Sequence, residues 1–262
     1  MRVFVLASGS TGNCLVIEAE GERLVVDAGL GPNRAVERMR ALGEDFVARR
    51  PPVGLFITHD HADHAAHALQ LVRALGTPLF AHQGASLSRA RKRVQVHAYS
   101  PGQPVFVGPF RIDALTLPHD APHVALRVST ATESVAVATD LGHAPRGLVA
   151  FLGDSDLVLI EANHCPAMLE AGPYPARLKS RVGGPLGHLA NEQTAEIVSR
   201  LTSTRVGRVV LGHLSRVNNT AERAAAAVMP RAGGLPVDVV EQGTARAFAV
   251  SRRRPAQLAF AF

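Results

Sequence analysis

Four apolar runs in this chain each stop at a histidine or an aspartate. Residues 53–57 (VGLFI) lead into Thr58-His59-Asp60-His61-Ala62-Asp63-His64. Residues 115–118 lead to His119, residues 135–139 to Asp140 and residues 209–212 to His213. Runs of this length, bounded by turn residues, read as buried strands. A polar group beside a core strand is costly unless something pairs with it. The four junctions become tolerable together if the strands lie in layered sheets, because their ends then converge on one edge, where α/β folds commonly place sites.

The densest junction is the most specific. Side chains two apart on an extended segment point the same way, so His59 and His61 can approach one ion together. Asp63 and His64 lie at the start of the next helix and can turn toward a second ion. Neutral imidazole and carboxylate suit zinc and related divalent metals. The H-x-H-x-D-H spacing is far more specific than a solvated, His-rich loop.

The rest of the chain supplies a frame. Strands are expected over 2–7, 14–18, 24–26, 53–57, 124–128, 134–138, 157–160 and 208–211. Helices are expected over 32–42, 62–75, 191–201 and 221–229, the first started by Pro32 and the second stopped by Gly76 and Pro78. Strands dominate the first half and alternate with helices in the second, which indicates an α/β fold. No linker or repeat divides the chain, so a single domain over 1–262 is expected, with a loose tail from Ser251-Arg252-Arg253-Arg254-Pro255.

A 47% hydrophobic and 19% charged composition is globular. The net charge of +6 favours phosphate-rich partners, although a simple preference for Arg gives the same balance. Cys14 and Cys165 are too few for a disulfide scaffold, so a reducing, cytoplasmic setting is expected and both read as packing residues. No leader and no membrane partner are expected, since no apolar stretch approaches spanning length.

Thr58 to His64 resembles the signature of the metallo-β-lactamase fold, and His119, Asp140 and His213 are similar in kind and order to its later metal motifs. The resemblance covers nearly the whole chain. It implies a four-layer αββα sandwich with two divalent ions, zinc or manganese, at one edge. It also implies that His59, His61 and His119 hold one ion, that Asp63, His64 and His213 hold the other, and that Asp140 bridges them. His123 is a spare candidate for the place of His119, which Pro118-His119-Asp120 favours.

Further along, residues 155–162 (SDLVLIEA) resemble the acidic motif of ribonuclease Z-like phosphodiesterases, and Gly187-His188-Leu189-Ala190 resembles their Gly-His motif. This implies that His188 protonates the leaving oxygen and that Glu161 orients it. The chemistry is apt, because phosphodiester cleavage expels an alkoxide that needs a proton or a cation. A histidine that merely caps the helix from Asn191 is the plainer alternative.

Ser8-Gly9-Ser10-Thr11-Gly12-Asn13, Asp27-Ala28-Gly29, Thr139-Asp140-Leu141-Gly142, Gly172-Pro173-Tyr174-Pro175, and Leu214-Ser215 with Asn218-Asn219 resemble the bacterial YycJ (WalJ) branch. Two positions depart from it: Cys165 stands where the branch has Asp, and Ala190 where it often has Ser. The branch implies a metal-dependent phosphodiesterase acting on nucleic acid, a 5′ to 3′ DNA exonuclease. A dinuclear metal-activated hydroxide would attack phosphorus, with Asp63 accepting a hydrogen bond from it. The other reading is a small-molecule metallohydrolase, a cyclic phosphodiesterase or a thioesterase.

Arg89, Arg91, Lys92 and Arg93 form a basic run that could track a nucleic acid backbone. The Ser8–Asn13 loop could offer backbone N–H groups to a phosphate, or be a plain turn. His164 either contacts the scissile phosphate or is structural. His67, His82, His97 and His143 carry no expected chemistry.

Overall fold

The computed structural model describes residues 1–46, 50–89 and 94–251. The basic run at Arg91, Lys92 and Arg93, together with the Arg89 side chain, lies outside the described residues, as do Arg252, Arg253, Arg254 and Pro255 of the expected tail.

Short apolar runs become strands of two sheets, most of them buried on both faces. The first holds β1 (Arg2–Ala7), β2 (Cys14–Ala19), β3 (Glu22–Val26), β4 (Gly54–Ile57), β5 (Leu79–His82), β6 (Val96–Tyr99) and β14 (Arg246–Ala249). The second holds β7 (Val105–Val107), β8 (Phe110–Leu117), β9 (His123–Ser129), β10 (Ser134–Ala138), β11 (Leu157–Glu161), β12 (Arg208–Gly212) and β13 (Val237–Val239). Strand order is β14-β1-β2-β3-β4-β5-β6 in one and β13-β12-β11-β10-β9-β8-β7 in the other. From β3 to β6, and from β10 to β13, neighbours run parallel. Their carboxyl ends therefore lie along one edge of each sheet.

Alternation along each strand makes three apolar layers. Val3, Val5, Ile17, Phe56, Val135, Val137 and Val210 meet between the sheets. Phe4, Leu6, Val16, Leu55 and Ile57 face the other way, onto α1 (Pro32–Ala41) and α3 (Ala68–Leu75) through Met39, Leu71 and Val72. Ala136, Ala138, Val209 and Leu211 face α4 (Leu148–Gly153), α7 (Asn191–Leu201) and α8 (Ala221–Val228) through Leu152, Val198 and Val228. Helices thus cover both outer faces, and the layering is the αββα sandwich that the resemblance implies. Among the described residues no helix is long and apolar enough to cross a membrane.

The expected helix over 62–75 is instead two, α2 (Ala62–Ala65) and α3, broken at Ala66-His67. The Asp27-Ala28-Gly29 loop causes the break. Ala28 N–H donates to the His64 carbonyl (2.6 Å) and the Ala28 carbonyl accepts from His67 N–H (3.0 Å). The ladder bonds of a continuous helix are thereby diverted. Gly29 permits the approach: a Cβ there would stand 1.9 Å from the Asp63 carbonyl oxygen and 2.4 Å from Asn13 N. Among the described residues, three short helices lie outside those expected from the sequence, α4, α5 (Pro166–Ala171) and α6 (Ala176–Val182).

Candidate metal centre

Each sheet delivers half of the site. β4 and the turn into α2 carry His59, His61, Asp63 and His64, while the ends of β8, β10, β11 and β12 carry His119, Asp140, Glu161 and His213. Two of these strand-end residues, Asp140 (φ 58°) and His213 (φ 51°), sit in the left-handed backbone region, as does Asp27 (φ 62°) after β3. For a residue with a Cβ this costs roughly 1–2 kcal/mol, a strain typical of functional sites.

The side chains meet as two neighbouring groups. His59, His61 and His119 offer ligand atoms within 4.8 Å of one another, and so do Asp63, His64, Asp140 and His213. The structure brings together the residues the resemblance implies, with Asp140 in the second group. His119 Nε2 lies 3.2 Å from His61 Nδ1. Asp140 Oδ2 lies 3.1 Å from His64 Nε2 and Oδ1 3.6 Å from His213 Nε2, and Asp140 also groups with His59 and His123. Asp63 Oδ2 is 3.5 Å from both His64 Nε2 and His213 Nε2. His123 also borders the site, grouping with His59 and Asp140. Its Nε2 is tied to the Thr139 carbonyl at 2.6 Å.

These residues fit a divalent cation. Buried polar atoms normally find a partner. Here His59 Nε2, Asp140 Oδ2 and His213 Nε2 are buried without a hydrogen bond. Nitrogen and oxygen atoms crowded together without partners suit a borderline or hard divalent ion.

Outer partners fix the imidazoles. Asp27 Oδ2 lies 2.7 Å from His64 Nδ1, and its Oδ1 accepts from Thr58 N–H at 2.9 Å. Thr58 Oγ1 in turn lies 3.2 Å from His59 Nδ1. Glu161 is fully buried. Its Oε1 accepts from Leu141 N–H (2.8 Å) and Leu189 N–H (3.0 Å), while Oε2 faces His188 Nδ1 (3.1 Å) and His213 Nδ1 (3.3 Å). His188 therefore lies against Glu161, and the cap position of α7 is Ala190. Only the return half of a capping box exists there, Ala190 N–H to Gln193 Oε1 at 2.8 Å, because Ala190 has no side-chain acceptor.

The electrostatics divide the two groups. Burial, reinforced by neighbouring imidazoles, pushes His59 down, and burial does the same to His119. These rings are neutral, the form that binds metal. In the other group burial opposes the charge, but carboxylates win. Asp140, with Asp63 and Glu161, raises His213 to about 10, and Asp27 and Asp140 raise His64 well above its ordinary value. In the metal-free chain both hold protons that a cation must displace. Falling pH strengthens that competition, so an ion held by the Asp63–His64–Asp140–His213 group would be lost before one held by His59, His61 and His119. With both groups loaded, metal-to-protein ratios after dialysis from pH 8 down to pH 5.5 are expected to fall in two steps, and a single-step loss would contradict this.

Other expectations change. Asp60, one of five candidate side chains in Thr58 to His64, accepts backbone N–H bonds from Ser86 and Leu87 and takes no place in either group. The Ser8–Asn13 loop is a brace, not a free phosphate cradle. Its Gly9, Gly12 and Asn13 N–H groups go to Asn13 Oδ1, the Gly9 carbonyl and the Asp63 carbonyl. Ser8 Oγ accepts from His213 N–H at 2.7 Å. The Asn218-Asn219 pair is structural, since Asn219 exchanges amide bonds with Asn191 (2.8 and 3.0 Å) and donates to the Ala162 carbonyl. Cys165, in place of the branch aspartate, faces Arg223 at 3.6 Å. His164 is buried with Nδ1 unpartnered, and His143 contacts the Pro185 carbonyl.

Sandwich and donor set together define a metal-binding hydrolase architecture. Residues 22–214 match the beta-lactamase superfamily domain, and the chain belongs to that family. It is 33% identical over 231 residues to Exodeoxyribonuclease WalJ of Streptococcus pneumoniae serotype 2 (strain D39 / NCTC 7466), covering 84% of each chain. It is 28% identical over 226 residues to Exodeoxyribonuclease YycJ of Bacillus anthracis, again covering 84% of each. Among solved structures, Zn(2+)-bound PqqB from Methylobacterium extorquens superposes with a TM-score of 0.72 at 17% identity, covering 94% of this chain and 99% of that one.

Proposed function

We propose that the chain is a metal-dependent phosphodiesterase acting on nucleic acid, a 5′ to 3′ DNA exonuclease that uses two divalent ions, zinc or manganese. One observation carries this reading: an imidazole backed by a buried carboxylate, His188 on Glu161 at 3.1 Å, stands beside the paired donor groups. Hydrolysis of an activated ester has little use for such an acid, whereas expulsion of an alkoxide from phosphorus is speeded by one. The names of the two bacterial relatives, both exodeoxyribonucleases, support DNA as the substrate.

His59, His61 and His119 would hold one ion and Asp63, His64 and His213 the other, with Asp140 shared. Ions held there supply Lewis acidity and neutralise charge on the phosphoryl oxygens. Asp63, partly open to the cleft, accepts a hydrogen bond from the attacking water and orients it. Glu161 holds Nδ1 of His188 and leaves Nε2 to protonate the departing sugar oxygen, so that a diester and water become a monoester and an alcohol. A cavity of about 480 Å³ lined by His164, Lys179, Ser180 and Gln193 adjoins the His188 loop and offers room for the flanking backbone.

The test is incubation of protein loaded with Zn²⁺ or Mn²⁺ with end-labelled single- and double-stranded DNA and RNA, with a salt series. Stepwise loss of nucleotides from the 5′ end of DNA, weakened by salt, is expected. Intact nucleic acids beside rapid turnover of small phosphodiesters or thioesters would refute it.

A further inference from the structure

His64 and the His188–His213 pair each have a carboxylate behind them, but Asp27 and Glu161 do not reach His61. A different residue does. Asp120 Oδ1 lies 3.2 Å from His61 Nε2, on the opposite side of the ring from the Nδ1 that faces His119. The same oxygen is 3.3 Å from His119 Nε2. Its other oxygen, Oδ2, is held by the guanidinium of Arg181 on α6, with Nε at 2.9 Å and Nη2 at 2.7 Å. Two nitrogens on one ion with bonds of about 2.0–2.1 Å are about 3.0–3.5 Å apart, so the 3.2 Å between His61 Nδ1 and His119 Nε2 suits a shared cation. That leaves Nε2 of His61 as the ring's outer nitrogen, and Asp120 stands against it.

We infer that Asp120 is a positioning residue for the His59–His61–His119 site, and that Arg181 fixes its carboxylate. The carboxylate sets which nitrogen of His61 carries the proton, turns the ring toward the ion and increases its basicity. Arg181 does this from a helix that contributes no ligand. α6 thus braces the centre through Asp120, besides accepting His188 N–H on its Val182 carbonyl at 2.9 Å. The inference deepens the metal assignment above and does not depend on what the site hydrolyses.

The experiment measures metal, without substrate. Purified full-length wild type, Asp120→Ala, Asp120→Asn and Arg181→Gln are stripped and titrated with Zn²⁺ against a competing chelator. Co²⁺ spectra of each are recorded in parallel. Outer carboxylates behind metal-bound histidines are worth about 10–100-fold in affinity. Asp120→Ala is expected to lose that much at one equivalent only and to shift the Co²⁺ bands. Asp120→Asn, which keeps an acceptor, and Arg181→Gln, which frees the carboxylate, are expected to lose less. Should Asp120→Ala fail to fold by circular dichroism, the half-exposed Arg181 and the near-isosteric Asn variant still decide the matter. Wild-type affinity and spectra in those variants overturn the inference, as does an equal loss at both equivalents. Because no nuclease assay is involved, absence of DNA cleavage in the wild type would sink the proposed function and leave this result standing.

Discussion

Asp140→Ala will reduce hydrolysis by at least about 10³-fold, equivalent to about 4 kcal/mol of transition-state stabilisation. The residue is 2% exposed, lies 3.1 Å from His64 Nε2 and 3.6 Å from His213 Nε2, and groups with donors on both sides, Asp63, His64 and His213 on one and His59 and His123 on the other. The surrounding imidazole charges, led by His213 and His64, hold its carboxyl well below the usual range despite its burial. It therefore presents a full negative charge to any cation in the cleft. Under the proposed assignment, deleting it removes the carboxylate shared by the two ions, so a fall in bound metal should accompany the fall in rate. Plasma emission analysis beside the kinetic assay checks this. A variant that keeps both ions and half its rate would show that Asp140 is not shared.

His188→Ala should behave differently. General acid catalysis contributes typically about 10²–10⁴-fold, so kcat is expected to drop within that range while metal content stays unchanged. Burial opposes a charge on His188, but Glu161 outweighs it and raises its pKa. A general acid works below its pKa, so activity falls as pH rises through a value above the ordinary 6.5, and the variant lacks that limb. Substrates with a good leaving group need no proton, so an aryl phosphodiester should lose far less than DNA. An equal loss on both substrates, or none on either, would remove His188 from the acid role and reopen the small-molecule reading.

What the sequence disclosed follows from locality. His59 to His64 sit within one turn, and each remaining donor directly follows an apolar run, so strand-end placement could be read by periodicity. The positioning residues were not readable that way. Asp27 meets His64 across 37 positions of chain, and Asp120 meets Arg181 across 61. Such pairings arise only when the sheets and loops dock. The break between α2 and α3 escaped notice for the same reason, since helical spacing continues through Ala66-His67 and the interruption comes from Ala28. Asp60 sits between His59 and His61, yet its carboxylate is claimed by two backbone N–H groups beyond β5. Asp120 carried a visible signal, its place beside His119 in Pro118-His119-Asp120, but nothing local pointed it at His61.

The donors arrive from two separate sheets, four side chains from the turn after β4 and the others from β8, β10, β11 and β12. Neither half of the sandwich owns a complete coordination sphere. Ions seated here would act as rivets through the joint, and ligation would be counted in the same free energy that holds the layers face to face. Starving the protein of metal then loosens the seam at the very rim where catalysis is assigned, while the apolar floor between the sheets stays closed.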